Sequence, residues 1–363
     1  RAYCLRAARI DPRKSRQQLG TRELADHRPS LFTSDTLVTQ HIIFDTDSAV
    51  FNDDAAALAM LLGHRDRFDI LGITIVAGNH TVSQGAEHML HLLELTDATD
   101  LPLYLGAEVP LVNTPARAAQ QEAEWGPISF KGAFSADSSI VAPHGGRFAA
   151  IRPQETNAVQ FIIDTIERLP NQVTIVAVGP MTNLAQAFQR RPDLAATVKQ
   201  LVFMGGNARV PGNVTPAAEF NIWFDPEAAA TVLGSTIPDV VMFGLDITNH
   251  APIHKPLFDR IMAVDTPLTR LMGHDLASRF EQDPTAGYYA WDCITAAWLI
   301  DPSLVTASER LPVAVDTTFG PTYGATTLKL PDAGEGRVVT VMLDLDVDRF
   351  YGMYETLLTR LPD

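Results

Sequence analysis

Apolar positions follow two alternating rhythms along this chain. Short continuous runs rich in Ile, Val and Phe alternate with longer stretches whose apolar residues recur at helical spacing. "HIIFDTD" from His41, "FDILGITIVAG" from Phe68, "VTIVAVGP" from Val173, "LVFMGG" from Leu201 and "DVVMFGLD" from Asp239 read as strands. "DDAAALAMLLG", "SQGAEHMLHLLELTD", "MTNLAQAFQRRPD" and "DPEAAATVLG" read as helices. Asp53 and Asp54 fall at the first helix start and Gly63 just past its end, where acids and glycine are favoured. Runs without a polar alternate predict strands buried on both faces, hence a mostly parallel sheet covered by helices. Residues 113–153 and 208–218 carry neither rhythm and are expected to be loops. Loops of that length inside a compact domain often serve function.

Charge divides the chain. Residues 1–40 hold 8 basic and 4 acidic side chains, a net of +4, while the remainder holds 20 basic and 39 acidic, a net of -19. A basic N-terminal extension over residues 1–38, mobile or loosely docked, and one domain over residues 39–363 are therefore expected. The total of -15 disfavours phosphate backbones, which argues against a nucleic-acid partner. Two cysteines give no disulfide framework, and no apolar run is long enough for a membrane span. The basic start lacks the apolar stretch of a secretory signal, so a cytoplasmic location is expected.

Unusual polar residues gather just after the strands: Asp45 and Asp47, Asn79, Thr182 and Asn183, Asn207, Asp246. Ligands of open α/β sheets bind outside the carboxyl ends of the strands, so these separated segments should meet in one crevice. Asp45, Asp47, Asp53 and Asp54 lie within ten residues of one another. Carboxylates crowded at a strand end repel, and a divalent cation is the usual remedy.

"DTDSAVFNDDAAALAML" resembles the opening signature of the calcium-dependent nucleoside hydrolases, a D-x-D pair followed by D-D-A at a helix start. "LGITIVAGNHTVSQGAEHMLHLLEL", "LPLYLGAEVPL", "VAVGPMTNLAQAF", "VFMGGN", "GNVTPAAEFNIWFDPEAA" and "WDCITAAWLIDP" are similar to later blocks of that family, in order, across about residues 41–302. The resemblance implies an open, mostly parallel, Rossmann-like α/β fold. It also implies hydrolysis of the N-glycosidic bond of ribonucleosides, a bound Ca²⁺, and a homodimer or homotetramer. Residue by residue, it implies Asp47 as calcium ligand and general base. Asp54, Asp292 and the carbonyl of Thr182 complete the metal shell. Asp53, Asn79, Met204, Asn213, Glu219 and Asn221 surround the ribose.

Two departures bear on substrate choice and loop shape. Ser48-Ala49 and Phe51 replace a glycine turn and a further acid in the first loop. Trp291 stands before Asp292 where many members have a histidine that protonates the leaving base. Trp291, with Trp125 as a second ring, is expected to stack on the base and to favour purines. The alternatives are a pyrimidine-preferring hydrolase and a nucleoside- or ribose-binding protein with weakened catalysis.

The extension carries no site motif. Removing residues 1–38 is expected to leave kcat/KM for the best nucleoside within about threefold, under about 0.7 kcal/mol in transition-state stabilisation. Steady-state kinetics on the truncated and full chains measure this, and a larger loss would tie the extension to the site.

Overall fold

A computed structural model describes residues 39–48, 50–136, 139–143, 146–328 and 336–360. The N-terminal extension and Ala49 lie outside the described residues. The chain runs β1 (Gln40–Thr46), α1 (Asp53–Leu62), β2 (Phe68–Ile75), α2 (Val82–Leu95), β3 (Leu103–Leu105), α3 (Pro115–Trp125) and α4 (Ala158–Arg168). It continues through β4 (Val173–Ala177), α5 (Thr182–Arg190), β5 (Gln200–Met204), α6 (Phe220–Phe224), α7 (Pro226–Leu233), β6 (Val240–Phe243) and α8 (Leu245–Thr248). Then follow β7 (Pro252–His254), α9 (Lys255–Met262), α10 (Pro267–Gln282), β8 (Gly287–Tyr289), α11 (Trp291–Ile300), β9 (Val305–Val315), β10 (Thr326–Leu328), β11 (Arg337–Leu345) and α12 (Val347–Thr359).

Among the described residues nine strands form one sheet, in the order β10-β9-β11-β6-β5-β4-β1-β2-β3. From β3 to β11 neighbours are parallel; β9 pairs antiparallel with β11, and β10 with β9. Strand order reverses between β1 and β4, the switch point where the crevice of such sheets opens. Alternation along β1 feeds two apolar layers. Ile42 and Phe44 join α1, α2 and α11 on one face, while Ile43 joins α4, α5 and α7 on the other. β4 is buried at every residue, which is why its sequence shows no polar alternate. No helix among the described residues is long and apolar enough to cross a membrane.

One expectation needs correcting. Residues 113–153 are not wholly loop, because α3 occupies Pro115–Trp125. Apart from Pro115 and Trp125 its side chains are polar or alanine, and only Ala118 and Gln121 are buried, so the apolar rhythm is nearly silent. The end signals are present: the Thr114 side chain caps Arg117 N–H, Pro115 opens the helix, and Gly126 closes it at φ 114°. The helix is fastened through Gln121, whose Oε1 accepts the indole N–H of fully buried Trp223 at 2.8 Å.

Gln121→Ala should strand that indole donor and cost about 1–3 kcal/mol, the usual penalty for a buried group left without its partner. Urea unfolding would show the loss as a lower midpoint. An unchanged midpoint would mean that water replaces the amide.

Candidate active site

The site begins where β1 ends. Asp47 follows the strand by one residue and is buried at 1% exposure. Its Oδ2 accepts the backbone N–H of Asn79 at 2.7 Å, and its Oδ1 the Asn79 side-chain N–H at 3.4 Å. Two neighbouring strand ends make room for it. A Cβ on Gly78 would sit 2.0 Å from Asp47 Oδ2, and one on Gly179 would sit 2.9 Å from Asp47 Oδ1. Glycine is required at both positions because the backbone itself walls in the carboxylate.

Asp54 is held from several directions. Thr46 Oγ1 donates to it at 2.5 Å, Asn52 Nδ2 at 2.7 Å and the Asp47 backbone N–H at 3.3 Å. Asn52 also caps α1 through Ala55 N–H, so one side chain starts the helix and steadies the acid. Asp53 and Asp54 lie in the first turn of α1, and Asp292 in the first turn of α11. Two helix N-termini thus point positive ends at one spot. The helices touch through small residues, and Cys293 Sγ donates to Asp53 O at 3.4 Å. Asp53, Asp54 and Asp292 each offer an oxygen within 4.8 Å of the others, and all three are buried.

Burial is the main influence on every acid here. It pushes Asp53 from 3.8 to about 7, with repulsion from Asp54 adding to the rise. Asp47 is raised well above the usual range by burial and then by Asp54; Asp292 is raised by burial and then by Asp53 and Asp54. Burial raises Asp54 as well, although hydrogen bonds from Thr46 and Asn52 oppose it. None of these leading influences is a lysine or arginine. Buried oxygen donors in mutual repulsion, with no cationic side chain among their leading influences, suit a hard divalent cation.

The opposite wall comes from β5 and the loop after it. Met204 ends β5, and its sulfur and carbonyl both receive the Asn221 side-chain N–H, at 3.5 and 3.2 Å. Asn221 also donates to Val178 O at 2.9 Å. Glu219 caps α6, accepting from Asn221 N and Ile222 N, while its Oε2 takes Gly206 N–H at 2.8 Å. Burial nevertheless lifts it from 4.5 to about 7. Asn213 Oδ1 accepts Phe220 N–H at 3.0 Å, pinning the loop to α6.

These parts enclose a cavity of about 450 Å³. Of the expected site residues, Asp53, Asn79, Met204, Asn213, Glu219, Asn221, Trp291 and Asp292 line it, while Asp47 and Asp54 sit beneath, bonded to Asn79. Two are not among its lining residues. Thr182 opens α5 and is buried, and its hydroxyl donates to Asp225 Oδ2 at 2.6 Å. Val178, just after β4, lines the cavity. Trp125 ends α3, is 40% exposed, and meets Phe319 edge-on at 5.2 Å. The second ring at the cavity is Phe130, which rests against Phe220 at 5.0 Å. Trp291 stacks on Tyr289 at 5.3 Å, and its indole donates to Asn249 Oδ1 at 3.2 Å.

The sequence reading missed Ser129, Phe130, Val178, Val214, Phe220 and Arg279. Val178 could have been found from its place after an apolar run; Arg279, on a polar helix face, gave no signal. No histidine lines this cavity among the described residues. A larger cleft of about 810 Å³ lies against α1, α10 and α12. It is lined largely by aliphatic side chains, and its one carboxylate, Asp301, pairs with Arg349.

A buried acid cluster thus faces a polar wall across one cavity at the switch point of a mostly parallel α/β sheet. The chain matches the family model described as inosine-uridine preferring nucleoside hydrolase over residues 42–352, and it belongs to that family. It is 34% identical to a pyrimidine-specific ribonucleoside hydrolase, RihB, of Escherichia coli (strain SE11), covering 86% of this chain and 95% of that relative. A plant nucleoside hydrolase structure superposes with a TM-score of 0.73 at 26% identity, covering 89% of this chain and 99% of the other. An inosine-guanosine nucleoside hydrolase gives 0.73 at 25% identity, covering 88% and 98%.

Raised carboxyl groups make stability depend on pH. An acid that binds its proton more tightly when folded stabilises the fold at low pH, and that contribution is lost as pH rises toward the folded-state value. For Asp53 and Asp45, raised from 3.8 to about 7, and Glu219, raised from 4.5 to about 7, the window runs from about 4 to about 7. The chelator-treated protein should therefore lose Tm across that window. Millimolar calcium should restore it most at the upper end, where the carboxylates are free of protons. A calcium-independent Tm at pH 7 in a thermal-shift series would remove the cation from the site.

Proposed function

We propose that the protein hydrolyses ribonucleosides to ribose and free base with a bound Ca²⁺, and that pyrimidine ribonucleosides are its best substrates. The observation that carries the reaction is the buried Asp53, Asp54 and Asp292 cluster, with Asp47 at the end of β1 bonded to Asp54 beneath it, facing Glu219 and two asparagines across one cavity. Asp47, Asp54 and Asp292 would hold the cation. When bound, such an ion supplies positive charge that eases loss of a proton from water.

The chain's own groups do the rest. Asp47, oriented by Asn79, takes the proton of the attacking water at its carboxylate. Asp53 accepts from the ribose hydroxyls, and Asn79, Asn213 and Asn221 fix the sugar with side chains that can both donate and accept. As the glycosidic bond breaks, positive charge grows on the ribose. The carboxylates of Asp53, Glu219 and Asp292 lie around it and stabilise that charge without reorganising. Trp291 and Phe130 receive the leaving base, and solvent supplies its proton. Assembly as a homodimer or homotetramer belongs to the same reading and rests on the family resemblance.

The pyrimidine preference is supported by the pyrimidine-specific relative. A purine preference is the second reading, because Trp291 and Phe130 still offer two aromatic faces to the cavity.

Reducing-sugar release from uridine, cytidine, inosine, adenosine and guanosine, with and without chelator, tests both readings. Uridine or cytidine should lead by about tenfold, a difference of roughly 1.4 kcal/mol at the transition state. Equal rates on purines would favour the second reading, and no release from any nucleoside would reduce the protein to a binder. Asp47→Asn should lower kcat by about 10²–10⁴ with a smaller change in KM, the range for loss of a general base. Near-full kcat would place the base elsewhere.

A further inference from the structure

The cleft of about 810 Å³ beside α1, α10 and α12 takes no part in the site above, yet it shares two helices with it. α1 and α11 carry Asp53, Asp54 and Asp292 in their first turns. Their opposite ends supply Met60, Leu62 and Ile300 to the cleft. Each helix has 10 residues, which at about 1.5 Å per residue puts roughly 15 Å between the acids and the cleft. A ligand seated in the cleft is therefore clear of one bound over the acids.

The cleft has apolar walls and charges mostly of one sign. Leu268, Met353 and Leu357 complete its main apolar surface. Arg67, Arg349 and Arg360 line it with a single carboxylate, Asp301, which Arg349 already pairs. Three arginines against one aspartate leave +2, in a body whose residues 41–363 carry 20 basic and 39 acidic side chains, a net of -19. Arg67 is positioned without a carboxylate: it donates to Ile300 O at 2.8 Å, and its guanidinium lies 5.4 Å from the Phe68 ring centre. The turn that carries it is fixed as well, with Arg67 N–H on His64 O at 2.9 Å and His64 Nδ1 2.9 Å from Met60 O. A guanidinium has five N–H groups, so Arg67 keeps donors for a further acceptor, and a carboxylate is the partner its fork fits best.

α12 adds a second observation. Gly352 lines the cleft inside that helix, where glycine is less stable than alanine. No neighbour requires it, because a Cβ there would meet nothing within 4 Å. The bare backbone leaves open space beside Met353, wide enough for an alkyl chain to lie against the helix. A concave, mostly apolar cleft of this volume with few polar groups has the form of a small-molecule site, whereas subunits meet over broad faces. We infer that the cleft binds an amphipathic monocarboxylate of the fatty-acid type, its carboxylate on Arg67 and its chain along Met60, Leu62, Met353 and Leu357.

Calorimetry on the full chain with sodium decanoate, below its micelle concentration, tests this. One decanoate should bind per chain, and more than tenfold more tightly than octanoate, since burying a methylene is worth about fourfold in affinity. Arg67→Met, which keeps an apolar stem, should weaken decanoate about tenfold while 1-decanol changes less than twofold. Gly352→Trp should weaken both by tenfold or more without lowering Tm, because its Cβ enters open space. Saturating uridine should leave the decanoate Kd unchanged. No saturable binding of decanoate would overturn the inference, as would an affinity indifferent to chain length or to both substitutions. Competition between decanoate and uridine would also overturn it by moving the acid into the other cavity. Dissociation of an oligomer by Gly352→Trp, with no decanoate bound by the unsubstituted chain, would assign the cleft to a subunit interface instead.

Discussion

Four aspartates share a volume from which water is largely excluded, and no lysine or arginine leads the influences on any of them. An uncompensated buried carboxylate is among the most costly groups a fold can carry. Much of the surrounding structure manages that cost. The α1 and α11 N-termini aim their backbone dipoles at the cluster. Thr46, Asn52 and Asn79 donate hydrogen bonds into it, and Gly78 and Gly179 let backbone close around Asp47. These devices reduce the repulsion without removing it, which leaves the balance to a divalent cation. Metal affinity and folding stability are then two readouts of one arrangement.

Glu219 shows how one side chain can serve both fold and chemistry. Its carboxylate receives three backbone N–H groups, from Gly206, Asn221 and Ile222, and so fixes the start of α6 to the turn after β5. The same bonds hold a carboxylate rigidly at the cavity wall, where a developing cation needs a fixed negative partner. Removing it would loosen the loop that carries Asn213 and withdraw charge from the sugar at once. Loss of activity in a Glu219 variant would not separate the two effects, since even a shape-conserving Gln keeps only one acceptor oxygen and sets its NH₂ against a backbone N–H.

What could be read from the sequence follows from burial. β4, β5 and β6 are buried over nearly their whole length, as are β1 and β2 toward their carboxyl ends, and these apolar runs announce the strands, with the acids at the end of β1 standing out against them. α3 shows the opposite case: it buries two side chains, so only its caps mark it. Trp125 was assigned by residue type, yet its position on that helix sends the ring to Phe319, and Phe130 five residues on enters the cavity. In the turn from β4 into α5, Val178 lines the cavity while the Thr182 hydroxyl bonds Asp225. Spacing identifies the turn, and only three-dimensional packing tells which of its residues faces inward.

In the proposed reading, the junction of β8 and α11 links the two ends of the substrate. Trp291 and Asp292 are consecutive at the start of α11. One presents its indole to the base side of the cavity, stacked on Tyr289 and tethered to Asn249; the other joins Asp53 and Asp54 in the acid cluster. Successive helix residues are separated by a fixed rotation and rise, so the distance between base wall and cluster is set by backbone geometry rather than by flexible side chains. A change at residue 291 that alters how the base sits must therefore act through the same turn that holds Asp292. Under the proposed function, replacing the indole with a smaller or proton-donating ring would retune leaving-group chemistry and cation geometry together, which gives a physical reason for an aromatic anchor beside a metal-site acid.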